Sequence, residues 1–136
     1  MMVSTKGRYA LRVMLDLCQH EEEGYISLKT IGERQGISVK YLEMIVSVLS
    51  KAGFVRSMRG KEGGYRLTRR PVEYSVGEIL TLTEGSLSPV ACVECGGAGC
   101  QRADVCLTLP LWRRLDALID GYLKNVTLED LLQGRV

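Results

Sequence analysis

Histidine is almost absent from these 136 residues, His20 being the single one. That scarcity leaves little for general acid–base work, and no paired catalytic carboxylates, nucleophile beside a base or phosphate-binding loop at a helix start makes up for it. An enzyme is therefore not expected. No run of about 18 apolar residues occurs, which excludes a membrane-spanning helix and any membrane partner of that kind. The stretch MMVSTKGRYALRVML lacks the long apolar core and small-residue cleavage site of a secretory signal, so the expected compartment is the cytoplasm.

What is present is enough for one ordinary globular domain with a small appendage: 46% of the residues are hydrophobic and 25% charged. Net charge is only +2, but it is unevenly placed. Residues 1–71 carry 13 Lys and Arg against 7 Asp and Glu, whereas residues 72–136 carry 5 against 9. A basic N-terminal part joined to an acidic one suggests a polyanion-binding module and a second part with another task.

The basic part reads as helices followed by a hairpin. In KGRYALRVMLDLCQH, Ala10, Val13, Met14 and Leu17 recur at i, i+3, i+4 and i+7, the spacing of one buried helical face, with Cys18 in the same helix. Ser27 is a plausible cap for a second helix that stops at Gly36. Ser38 caps a third, whose inner face is Leu42, Ile45, Val46 and Leu49 and whose stop is Gly53. Two helices joined by a short glycine-containing turn make a helix-turn-helix.

FVRSMRGKEGGYRLTRR follows, and reads as strands near 54–59 and 65–68 joined by a glycine-rich loop. A helix-turn-helix followed at once by an arginine-rich hairpin has the order of a winged helix, in which the third helix enters the major groove of double-stranded DNA and the wing contacts the flanking backbone. The expected fold is mainly α with a small β-hairpin wing. Ser38, Lys40, Tyr41, Glu43 and Ser47 would face outward on the third helix. Lys40 and Tyr41 suit phosphate, and Glu43 suits a cytosine amino group. In the wing, Arg56, Arg59, Lys61, Tyr65 and Arg66 surround Gly60, Gly63 and Gly64, which permit close approach, and Arg59 is the candidate for a minor groove.

The acidic part holds the segment CVECGGAGCQRADVC, four of the five cysteines within residues 92–106. In a reducing compartment such a cluster points to metal ligands or a redox switch more than to structural disulfides. A short helix capped by Ser75 precedes it. After it, Leu111, Leu115, Leu118, Ile119 and Tyr122 mark an apolar helix beginning near Pro110, and Thr127 with Asp130 marks a final short one. Such an apolar helix is expected to make a homodimer, whose twofold axis would match a palindromic operator. The expected division is 1–74 for DNA binding and 75–136 for dimerisation and the cysteine loop.

STKGRYALRVMLDL, ISVKYLEMIVSVLSKAGFVRSMRGKEGGYRL, VGEIL, the cysteine loop followed by LW, and NVTLEDLL together resemble successive blocks of the Rrf-type family of bacterial winged-helix transcriptional regulators. The similarity runs nearly end to end and is greatest to members that carry an iron–sulfur cluster; a cysteine-metabolism branch without a cluster is related. The resemblance implies a winged-helix domain, a long C-terminal dimerisation helix and homodimers on palindromic operators. In the cluster-bearing members three cysteines spaced by five and five residues, and a histidine three residues after the last, hold a 2Fe-2S cluster. The matching residues are Cys95, Cys100 and Cys106, with spacings of four and five, and Leu109 stands at the histidine's place. Cys92 adds a fourth thiol, so that Cys92, Cys95, Cys100 and Cys106 form a sufficient set for a 2Fe-2S or a 4Fe-4S cluster. Zinc on the four cysteines and a metal-free thiol switch are the rival readings.

Overall fold

The computed structural model describes residues 3–97 and 100–136, with the side chains at 95–97 outside that description. The chain runs α1 (Thr5–Gln19), α2 (Leu28–Gln35), α3 (Val39–Lys51), β1 (Val55–Met58), β2 (Gly64–Leu67), α4 (Val76–Glu84), α5 (Leu109–Asn125) and α6 (Leu128–Gln133). Short 3-10 turns lie at Glu21–Glu23, Pro71–Glu73 and Ala91–Gly97. The fold is mainly helical with a two-stranded hairpin, as expected.

Side-chain caps set the helix starts. Ser4, Ser27, Ser38, Ser75 and Thr127 each accept a backbone N–H from the first turn of α1, α2, α3, α4 and α6. Ser75 with Glu78 and Thr127 with Asp130 complete reciprocal capping boxes. Between α2 and α3 the chain turns on Gly36, at φ 67°, a left-handed conformation that a Cβ disfavours.

The apolar stripes meet in one core: Ala10, Val13, Met14 and Leu17 of α1 pack with Ile31, Leu42, Ile45, Val46 and Leu49 of the helix-turn-helix. Ile79 of α4 and Leu128 of α6 join it, so the acidic segment closes the same core that the basic segment opens. The chain between α5 and α6 returns to α4: the Val76 N–H donates to Val126 O at 2.8 Å and the Leu128 N–H to Tyr74 O at 3.1 Å.

β1 and β2 pair antiparallel with Arg56 opposite Arg66 and Ser57 opposite Tyr65. The hairpin is fastened at both ends. Tyr65 exchanges two backbone hydrogen bonds with Ile26, 2.8 and 2.9 Å, and a Cβ at Gly64 would lie 2.3 Å from the Ile26 carbonyl, so only glycine allows this approach. At the other end the fully buried Tyr74 donates its hydroxyl to Phe54 O at 2.7 Å and accepts the Thr68 and Arg69 N–H groups at 3.0 Å each.

Candidate functional site

α3 presents two faces. Leu42, Ile45, Val46 and Leu49 are buried, while Val39, Lys40, Glu43, Met44, Ser47 and Lys51 are exposed. Of the residues expected to face outward, Ser38, Lys40, Glu43 and Ser47 do so, although the Ser38 hydroxyl is engaged in capping α3 through the Tyr41 N–H. Tyr41 is half-buried instead. Its ring meets Tyr9 of α1 edge-on, with centroids 5.6 Å apart, and the Arg12 guanidinium lies 5.1 Å from the centroid of the Tyr9 ring. Val39 and Met44 were not among the residues expected there. Their signal was in the spacing, since Met44 falls four residues after Lys40 and three before Ser47, on the stripe those two define.

A buried charge ties α1 to α2 just before the turn into α3. Asp16 of α1, 1% exposed, accepts from Arg34 Nε and Nη2 at 3.0 and 2.7 Å and from Gln35 Nε2 at 2.9 Å. Arg12 donates to Gln35 Oε1 at 3.1 Å and also to the Gln35 carbonyl. These contacts tie α1 to the last turn of α2, immediately before the turn into α3. Burial pushes the Asp16 carboxyl upward, but the Arg34 and Gln35 hydrogen bonds and the Arg34 charge outweigh it and hold it below its ordinary value.

In the hairpin, Arg56, Arg59, Gly60 and Lys61 are exposed, and Gly63, Gly64 and Tyr65 are half-buried. Arg66 lies 5.4 Å over the ring of Tyr25, which holds its guanidinium against the body of the protein. The exposed arginines and Lys61 stand on the hairpin directly after α3 in the chain, and its glycine-rich tip also carries the exposed Glu62. The two exposed basic surfaces suit a polyanion wider than either.

The cysteine loop lies between α4 and α5. Cys92 and Cys100 are exposed and Cys106 is half-buried, and all three thiols are free. Cys95 falls on the Ala91–Gly97 turn with its side chain outside the described residues. Among the described residues no group of three His, Cys, Asp or Glu side chains stands ready as a metal site. The donor chemistry nevertheless fits a soft thiolate-bound group. Cys106 Sγ is 3.3 Å from Thr108 Oγ1, and that hydroxyl, with the backbone N–H groups of Thr108 and Leu109, holds the Cys106 thiol below its usual range. Leu109, in the first turn of α5, is 3% exposed and turned inward, so no ligand comes from that position.

Cys18 belongs to the core, and burial together with the Glu21 charge pushes its thiol up to about 12. His20 ends α1 with Nδ1 2.8 Å from the Asp16 carbonyl. Along α5, Leu111, Leu115, Leu118 and Tyr122 form an exposed apolar stripe at i, i+4, i+7 and i+11.

The Rrf2 family model, described as an iron-dependent transcriptional regulator, matches residues 3–134. The HTH-type transcriptional regulator IscR of Serratia proteamaculans is 44% identical over 135 residues, covering 99% of this chain and 81% of its own. Among solved structures, IscR of T. potens is similar over 100% of this chain and 89% of its own, at 41% identity and a TM-score of 0.79. CymR, the global cysteine regulator of B. subtilis, is similar over 96% of this chain and 95% of its own, at 39% identity and a TM-score of 0.81.

Proposed function

Because this chain belongs to the Rrf2 family of transcriptional regulators and is not an enzyme, we propose that it is a homodimeric operator-binding sensor of redox or iron–sulfur status. Residues 1–74 bind DNA, with α3 in the major groove through Lys40, Glu43 and Ser47, with Arg59 of the wing in a minor groove, and with Lys61 and the glycines of the wing against the backbone. Residues 75–136 dimerise and carry the signal-receiving loop. The exposed stripe Leu111, Leu115, Leu118 and Tyr122 supports a partner copy on α5. A twofold dimer spaces its two α3 helices about one DNA turn apart, roughly 34 Å, on a palindromic site.

The observation that carries the sensor reading is the thiol chemistry of 92–106: free, solvent-reaching cysteines, one of them held toward thiolate at the start of α5. Cys92, Cys95, Cys100 and Cys106 would hold an iron–sulfur cluster, most simply 2Fe-2S, with 4Fe-4S the larger alternative. Such a cluster supplies one-electron chemistry and sensitivity to oxidants. A thiolate in place of a neutral imidazole adds negative charge and lowers its reduction potential. The chain's own part is to hold the Cys106 thiol toward thiolate and to couple the loop to α5. Gain or loss of the group then shifts the spacing of the two α3 helices.

A second reading keeps the regulator and removes the metal. The inward Leu109 at the expected histidine position and the likeness to CymR favour a cluster-free thiol switch, in which two loop cysteines join on oxidation. The two readings part on one experiment: operator binding by anaerobically purified protein before and after chelation of iron. The cluster reading expects a change in affinity or sequence preference that tracks iron content. Binding that follows thiol oxidation and ignores iron would favour the second. Gel filtration tests the dimer, and L118E is expected to yield monomers.

A further inference from the structure

The solvent face of α3 is not uniformly polar. Lys40, Met44, Ser47 and Lys51 form a single exposed stripe at i, i+4, i+7 and i+11, and Met44 stands in it 55% exposed. Its neighbours on the inner face, Leu42 and Ile45, are wholly buried, and Met44 is not part of the packed core. A methionine here adds nothing to the stability of the helix-turn-helix that a lysine or glutamine would not. It does present a long, unbranched, polarizable apolar side chain between two lysines suited to phosphate.

If α3 occupies the major groove, Met44 faces base edges. Methionine has no donor and only a weakly accepting sulfur, so it cannot read the hydrogen-bonding pattern of a purine or of cytosine. The groove offers one apolar feature, the C5-methyl of thymine. We propose that Met44 is a specificity-determining residue that reads a thymine methyl in the operator half-site, next to the base that Glu43 reads. This rests on the proposed placement of α3, and it differs from the charge-based contacts in being independent of salt.

The test uses the full-length protein and a duplex that the protein itself enriches from a pool of random sequences. Each thymine of the enriched half-site is replaced in turn by deoxyuridine, which deletes the C5-methyl and leaves every hydrogen-bonding group in place. One position is expected to weaken wild-type binding about fourfold, the worth of one buried methyl. At that position Met44→Ala, which alters an exposed residue, should be insensitive to the replacement, and Met44→Leu should keep the sensitivity. Equal responses of wild type and Met44→Ala at every thymine would overturn the assignment while leaving DNA binding by α3 intact. Failure to enrich any duplex would instead overturn the DNA-binding reading and this assignment with it.

Discussion

Asp16 of α1 and Arg34 of α2 form a two-pronged ion pair, 3.0 and 2.7 Å, around a carboxylate that solvent does not reach. A charge this deep is tolerated only because Gln35 supplies a third hydrogen bond, at 2.9 Å, to the same group. The arrangement fixes the angle at which α2 delivers the chain into the turn before α3. On the proposed placement of α3, it supports the DNA-reading geometry without touching DNA.

Replacing Asp16 by Asn is expected to cost about 3 kcal/mol, the lower end for breaking a buried pair because Arg34 still reaches water. The pH dependence has a definite sign. A carboxyl held below its unfolded value favours proton uptake by the unfolded chain, so its stabilisation is complete above about pH 4 and vanishes as pH falls through the folded value. Urea titrations across the acid limb should show wild type losing more stability than D16N as the pH falls.

Tyr74 clasps the base of the wing through one hydroxyl shared by Phe54 O, just before β1, and the N–H groups of Thr68 and Arg69, just after β2. Y74F leaves those groups without that partner in a dry site, a loss of about 1–3 kcal/mol. Thermal melting should register the loss, and operator affinity should fall with it because the wing loses its anchor.

Charge contacts and base contacts separate by their salt response. R59A is expected to weaken binding across all sequences and to reduce the salt slope by about one phosphate contact. E43A should leave the slope unchanged and relax preference at one base pair, read by competition between operator and scrambled duplexes.

The cysteines should sort by reactivity. In chain freed of metal, Cys106 should be alkylated readily at neutral pH, its thiol being held toward thiolate by Thr108 and the start of α5, while Cys18, pushed up to about 12 by burial, stays unmodified until the fold opens. Peptide mass mapping after brief iodoacetamide treatment reads both. C18A should keep any loop-bound group, and C92A should lose it.

Much of this was legible in the sequence because it is written in local signals. Serine and threonine caps, Gly36 in its left-handed turn, and the 3.6-residue stripes of α1 and α3 placed the helix-turn-helix; the glycine-rich spacer placed the wing. Asp16 was not legible as a buried charge. It sits among Val13, Met14 and Leu17 on the apolar stripe, and its partner is 18 residues away on another helix, a distance no periodicity spans. Tyr41 was misread as outward for a related reason: its environment is set by Tyr9, a tertiary neighbour. The 3-10 turns at Glu21–Glu23 and Pro71–Glu73 are too short to leave a pattern. The loop was legible as chemistry through its thiols, whereas the packing of its Ala91–Gly97 turn against α5 is a tertiary contact that no local pattern announces.

The most direct measurement is an absorption spectrum of anaerobically purified protein, with iron, acid-labile sulfide and zinc determined on the same sample. Broad visible bands with iron and sulfide in matching amounts, lost in C92A, are the predicted result. A colourless protein that holds zinc, or takes up no iron and sulfide on anaerobic reconstitution, would contradict the cluster on Cys92, Cys95, Cys100 and Cys106.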